Sequence, residues 1–160
     1  MVEPKLKIVL VNLTKTLLVD ALYLRKAFPD KRIALLQPGA LKDGSEEQIS
    51  LVQAIDADLL RSIPIDLAVN IGSFQEMDMA VIQDYFSILR ESKPLLYTCN
   101  RIQKKLPDGS VIRFHEYPWK DNDEIFEDSL CPWSQGGYML RPPFYFQMDG
   151  PVQHRLVRLA

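Results

Sequence analysis

Four short aliphatic runs, each closed by a side-chain amide, punctuate the first hundred residues, and few folds accommodate such a pattern. Residues 6–11 end at Asn12, 33–36 at Gln37, 65–69 at Asn70 and 95–99 at Asn100. Nearly continuous runs rich in β-branched residues suit parallel strands buried on both faces. Helical periodicity fills the gaps. Over 14–28 the apolar residues Leu17, Leu18, Ala21, Leu22 and Phe28 recur at helical spacing, Thr14 can cap the first turn, and Pro29 with Asp30 stops it. Ile49, Val52 and Ile55 predict a helix over 49–60, and Val81, Ile82, Tyr85, Phe86 and Leu89 predict one that starts at Asp78 and is broken by Pro94. Strands joined by helical crossovers imply an α/β sandwich with a mostly parallel sheet.

From Pro107 onward Pro and aromatic residues dominate, as expected of irregular packing. Strand character returns over 144–148, and a turn at Asp149, Gly150 and Pro151 leads into 152–159, so a terminal antiparallel hairpin is predicted. The 160 residues fit one domain. Nineteen basic and 21 acidic side chains, in no blocks, argue against a nucleic-acid partner. Only seven glycines occur, the first at Gly39, so no early loop is freed to approach a phosphate. Cys99 and Cys131 lack CxxC spacing, which argues against a zinc cluster or a dithiol motif and for a reducing compartment. The N-terminus resembles neither a signal peptide nor a membrane span, so a cytoplasmic protein without membrane contact is expected.

In an open parallel sheet the carboxyl ends of the strands face the ligand crevice. A row of amides there suits a polar organic ligand such as a nucleoside or a sugar, because each amide both donates and accepts; Asn is equally at home in turns and caps. Within 70–77, Gly72 permits a sharp turn, and Glu76 is placed to orient a substrate hydroxyl or take its proton. The same spacing also reads as an S-x-x-E capping box between Ser73 and Glu76. His115 and His154 are the only imidazoles. Each is a candidate base or a hydrogen-bonded structural residue, and neither a nucleophilic triad nor a metal site is supported. Tyr117, Pro118 and Trp119 suit stacking on a sugar or packing of a loop. Asn100 with Arg101 suits a clamp on a charged group or a surface ion pair.

Residues 12–18, with Tyr23, Leu24 and Phe28 beyond them, resemble the second strand and following helix of the sugar O-methyltransferase family of S-adenosylmethionine-dependent enzymes. Asn70 to Met77, then Tyr85 and Phe86, then Tyr97 to Arg101, resemble its fourth strand with an N-x-x-S-F-x-E-M signature, its next helix, and a fifth strand closing on an Asn-Arg pair. Tyr117, Pro118 and Trp119, and His154, Arg155 and Leu156, resemble further family positions. The resemblance implies a Rossmann-like fold with the methyl donor across the carboxyl ends of the strands. Asn12, Gln37, Asn70 and Ser73 would bind the donor, Asn12 standing where an acidic residue usually holds the ribose hydroxyls. Glu76, His115 and His154 would be candidate bases. Gln75, Asn100, Arg101, Tyr117 and Trp119 would bind the acceptor sugar.

The family's first strand and glycine-rich loop should precede Asn12, where only eleven residues stand. The resemblance therefore implies methyl transfer to a sugar hydroxyl that is absent or impaired in this short form, or restored by a second subunit. The alternative is a non-catalytic α/β binding or interaction domain. Either way a homo-oligomer that covers an exposed sheet edge is expected.

Overall fold

The computed structural model describes residues 6–36, 49–134, 136–147 and 150–160. Strands and a few helices alternate in an α/β arrangement of several small sheets, and the chain divides into two compact units, Met1–Ile63 and Pro64–Ala160.

In the first unit, strand β1 (Ile8–Asn12) leads into helix α1 (Thr14–Ala27), and strands β2 (Ile33–Leu35) and β3 (Ile49–Gln53) complete a parallel sheet of order β1-β3-β2. Leu13, not Thr14, occupies the cap position of α1, and its side chain caps nothing. Leu17 of α1 packs with Ile49 and Leu51, with Ala21, Leu24, Phe28, Leu10 and Ile33 around them. Leu18 and Leu22, read above as part of the helix's apolar face, are exposed.

The helix predicted over 49–60 is not formed: 49–53 is the central strand, and a kinked 3-10 helix, Ala54–Ser62, follows it. Ile49 and Val52 match a helical repeat only in spacing. Both are buried because β3 has a strand on either side, whereas Ile55, the third member of that repeat, is 87% exposed. Gln37 and the polar stretch 42–48 lie outside the described residues.

The second unit begins with strand β4 (Leu67–Ile71), a single 3-10 turn (Phe74–Glu76), helix α2 (Met79–Ser92) and strand β5 (Leu95–Arg101). Strands β6 (Gln103–Lys105) and β7 (Val111–Arg113) form a hairpin, and a second 3-10 turn (Phe114–Glu116) leads to β8 (Glu124–Leu130). Strands β9 (Gly136–Tyr138), β10 (Tyr145–Gln147) and β11 (Val152–Arg158) follow. The main sheet has the order β4-β5-β11-β8; β4 and β5 are parallel, and β11 is antiparallel to both its neighbours.

Two expectations are thereby corrected. Antiparallel pairings join β11 to β5 and β8, β6 to β7 and β9 to β10, so the sheets are not mostly parallel. The terminal hairpin is also replaced: β10 pairs with β9, and β11 inserts between β5 and β8. Burial explains the insertion, because Val157 and Leu159 are shielded almost completely in the core that Phe74, Ile82, Phe86, Leu89, Leu96 and Phe114 build. A two-stranded hairpin has no such interior.

Helix α2 supplies Ile82, Phe86 and Leu89 to that core, as its periodicity predicts, and ends at Lys93 in the left-handed conformation. Burying side chains of this size stabilises by about 1.5–3 kcal/mol each. A polar clip adds to it. Arg90 donates to both carboxylate oxygens of Asp123 at 2.7 and 2.9 Å and to the carbonyls of Pro118 and Ala160 at 2.7 and 3.0 Å. Burial raises the Asp123 pKa, but hydrogen bonds from Arg90 and from the Lys120 and Ala160 amides outweigh it and hold the carboxyl below its usual value.

Candidate functional site

The carboxyl ends of β4 and β5 lie side by side, because Asn70 pairs with Thr98 and Ile71 with Cys99 in parallel register. Asn70 and Asn100 therefore project from neighbouring strands toward the turn that follows β4. Asn70 Oδ1 accepts from the Phe74 amide at 3.1 Å and from Asn100 Nδ2 at 3.1 Å. Asn100 is completely buried; its Nδ2 also donates to Thr98 Oγ1 at 2.7 Å, and its Oδ1 accepts from the Gln75 amide at 3.3 Å. The first amides of the Phe74–Glu76 turn are thus satisfied by strand-end side chains, an N-cap assembled from two strands.

The capping box is not formed, since Ser73 precedes the turn but its side chain caps nothing. Gly72 makes the reversal possible, at φ +69°, and its amide donates to the Cys99 carbonyl at 2.8 Å. Gln75 locks the segment from the other side: its Oε1 accepts from the Arg101 amide at 2.7 Å, and its Nε2 donates to Glu76 Oε1 at 3.2 Å. Lys104 Nζ lies 3.3 Å from the same Glu76 oxygen, and the Glu76 side chain is 52% exposed. Asn70, Ser73, Gln75, Glu76, Asn100 and Arg101 are therefore brought together, with a carboxylate and a hydroxyl on the outside and the amides turned inward.

The remaining candidates are placed elsewhere. Tyr117 lies in the core of the second unit, where Phe74 meets it edge-on at 5.9 Å and burial raises its phenol pKa. Among the described residues its buried hydroxyl has no hydrogen-bond partner. Trp119 packs edge-on against Phe86 at 5.0 Å, donates to the Phe114 carbonyl at 2.9 Å, and carries the Arg155 guanidinium 4.4 Å over its ring. His115 is 69% exposed and 3.9 Å from Glu116. His154 sits in β11, with Nδ1 3.2 Å from the Tyr97 hydroxyl and Nε2 3.0 Å from Ser129 Oγ, which donates to Glu127 at 2.5 Å.

In the first unit Asn12 ends β1, donates to Asp20 at 3.1 Å and accepts from the Leu13 amide at 2.9 Å. Gln53 pairs with it in register and accepts from Thr14 Oγ1 at 2.8 Å. Gln53 is a further strand-end amide that the sequence does not announce, because the Ile49, Val52 and Ile55 spacing predicts a helix there; the Ile49, Leu51 alternation is the signal for a strand. Lys104 is not announced either, since only the β6–β7 hairpin brings it to Glu76.

Among the described residues no group of three or more His, Cys, Asp and Glu side chains could hold a metal ion, and no helix is long and apolar enough to cross a membrane. No known family model matches the chain, and no curated protein matches it.

Proposed function

We propose that the second unit carries the acceptor side of an S-adenosylmethionine-dependent sugar O-methyltransferase of Rossmann-like fold. The observation that carries this reading is the Asn70–Met77 segment, pinned by Asn70, Asn100 and Gln75 onto the carboxyl ends of two parallel strands with the Glu76 carboxylate outermost. Such a mount holds a carboxylate to a fixed position, as proximity catalysis requires. The donor supplies an electrophilic methyl group. Glu76 accepts the hydrogen bond of the sugar hydroxyl and takes its proton as the oxygen is alkylated, and Lys104 orients the carboxylate.

The donor side fits less well. The Asn70 and Asn12 oxygens already accept hydrogen bonds inside the protein, which leaves Ser73 as the outward polar group at the start of the segment. That inward use of the amides favours the second reading, a non-catalytic α/β domain that binds a polar ligand or a protein. An edge strand, β4, whose Leu67, Val69 and Ile71 are exposed, supports self-association. Titration calorimetry with S-adenosylmethionine and with its demethylated product separates the two: binding heat is expected for the methyltransferase, and its absence at millimolar ligand overturns that reading. Where turnover is found, Glu76→Gln should lower kcat by about 10²–10⁴-fold; unchanged turnover would remove Glu76 from the chemistry.

A further inference from the structure

The fold brings together two cysteines that the sequence keeps far apart. Cys99 in β5 stands opposite His154 in β11, which stands opposite Ser129 in β8. Ser129 and Cys131 share a face by strand alternation, and the Cys131 amide donates to the Val152 carbonyl at 2.8 Å. Both cysteines are free and buried in one cluster with Val152, against which Tyr97 packs, and the Cys131 thiol donates to Ser134 Oγ at 3.6 Å.

We propose that Cys99 and Cys131 form a redox-active dithiol, oxidised by a small peroxide to a reversible intramolecular disulfide. The two sulfurs have unequal surroundings. Burial raises the Cys131 pKa, but the Ser134 hydroxyl, the Trp133 and Ser134 amides and the Cys99 thiol outweigh it and hold it below the usual thiol value, so Cys131 gives up its proton more readily than Cys99. Burial and then the neighbouring Cys131 push Cys99 up to about 11, so it remains a thiol. Cys131 is therefore the attacking sulfur and Cys99 the resolving one.

Cys131 is itself buried, 2% exposed, but it opens onto a surface segment in which Pro132 is exposed and Trp133 is 84% exposed. In the first step the Cys131 sulfur bonds to one peroxide oxygen, the O–O bond breaks, and the other oxygen leaves as water with the thiol proton, giving a sulfenic acid. In the second, the Cys99 sulfur attacks the sulfenyl sulfur, the S–O bond breaks, and the hydroxyl leaves as water with the Cys99 proton. Two thiols and one peroxide thus become one disulfide and two waters. The Cys99 carbonyl receives the Gly72 amide, and Asn100 is the next residue, so the disulfide would form at the base of the Asn70–Met77 segment.

The test is peptide mapping of the full chain after hydrogen peroxide treatment and alkylation under denaturing conditions. Loss of both alkylatable thiols, a Cys99–Cys131 crosslinked peptide, and recovery with dithiothreitol are expected. With dimedone present, Cys99→Ser should accumulate the adduct at Cys131, and Cys131→Ser should give none at Cys99. Two alkylatable thiols remaining in the treated wild-type chain, or equal labelling of the two variants, would overturn the proposal.

Discussion

Asn12 and Asn100 arise from the same sequence signal, an amide closing an aliphatic run, yet they are used differently. Asn12 bonds within its own neighbourhood, to Leu13 and to Asp20 eight residues on. Asn100 reaches Gln75 and Asn70, 25 and 30 residues away, from a completely buried position. In the same unit Arg90 joins the chain terminus, 70 residues ahead. Short-range bonds are partly available to the unfolded chain, whereas long-range ones exist only once the loop closure they require has been met. Equal amides should therefore contribute unequally to stability.

The strongest way to break the contrast is at the Arg90 clip. Arg90→Met leaves Asp123 buried without its cation and should destabilise the second unit by about 3–5 kcal/mol in urea unfolding; a loss near that of a surface substitution would show that the clip is dispensable. Acid probes the same pair. The Asp123 carboxyl is depressed in the fold, so the unfolded chain binds more protons and stability rises with pH. The contribution is present above the unfolded carboxyl's pKa and is lost as pH falls through the lower folded value. Wild-type protein should lose stability on that descent, and Arg90→Met should show a flatter profile.

Next in size is the amide comparison. Asn100→Ala strands the Gln75 amide and the Thr98 hydroxyl and should cost about 2–3 kcal/mol, while Asn12→Ala should stay within about 1 kcal/mol. Equal losses would erase the distinction. The smallest effect belongs to Tyr117→Phe. Removing an unpartnered hydroxyl should leave stability unchanged or raise it by up to about 1 kcal/mol in urea unfolding. Lowered stability would show that the hydroxyl finds a partner in the folded chain.

Local structure was legible where local physics decides it. Helices α1 and α2 form where their periodicity places them, although Leu18, Leu22 and Val81 of the expected apolar faces are exposed, and β1, β4 and β5 fall within two residues of the aliphatic runs that announce them. Strand β8 was not legible, because its seven residues are all exposed and its charged side chains resemble a loop; only pairing with β11 makes it a strand. The position of β11 was hidden for a related reason, since its registers with β5 and β8 join residues distant in sequence. At the site, Asn70, Gln75, Glu76 and Asn100 are each candidates by residue type, and the fold brings the four together. Which of their atoms point inward was set by the reversal at Gly72 and the register of two strands, and no residue pattern encodes that direction.

The Trp119 environment has a practical consequence. Of the two tryptophans in the chain, Trp119 is shielded by Phe86, Phe114 and the Arg155 guanidinium, Trp133 is exposed, and none lies within 1–63. Intrinsic tryptophan emission should shift to longer wavelength when the second unit melts and stay blind to the first. Circular dichroism at amide wavelengths reports on both. Superposable denaturation curves from the two signals would mean that the units unfold as one cooperative block, whereas displaced midpoints would reveal two.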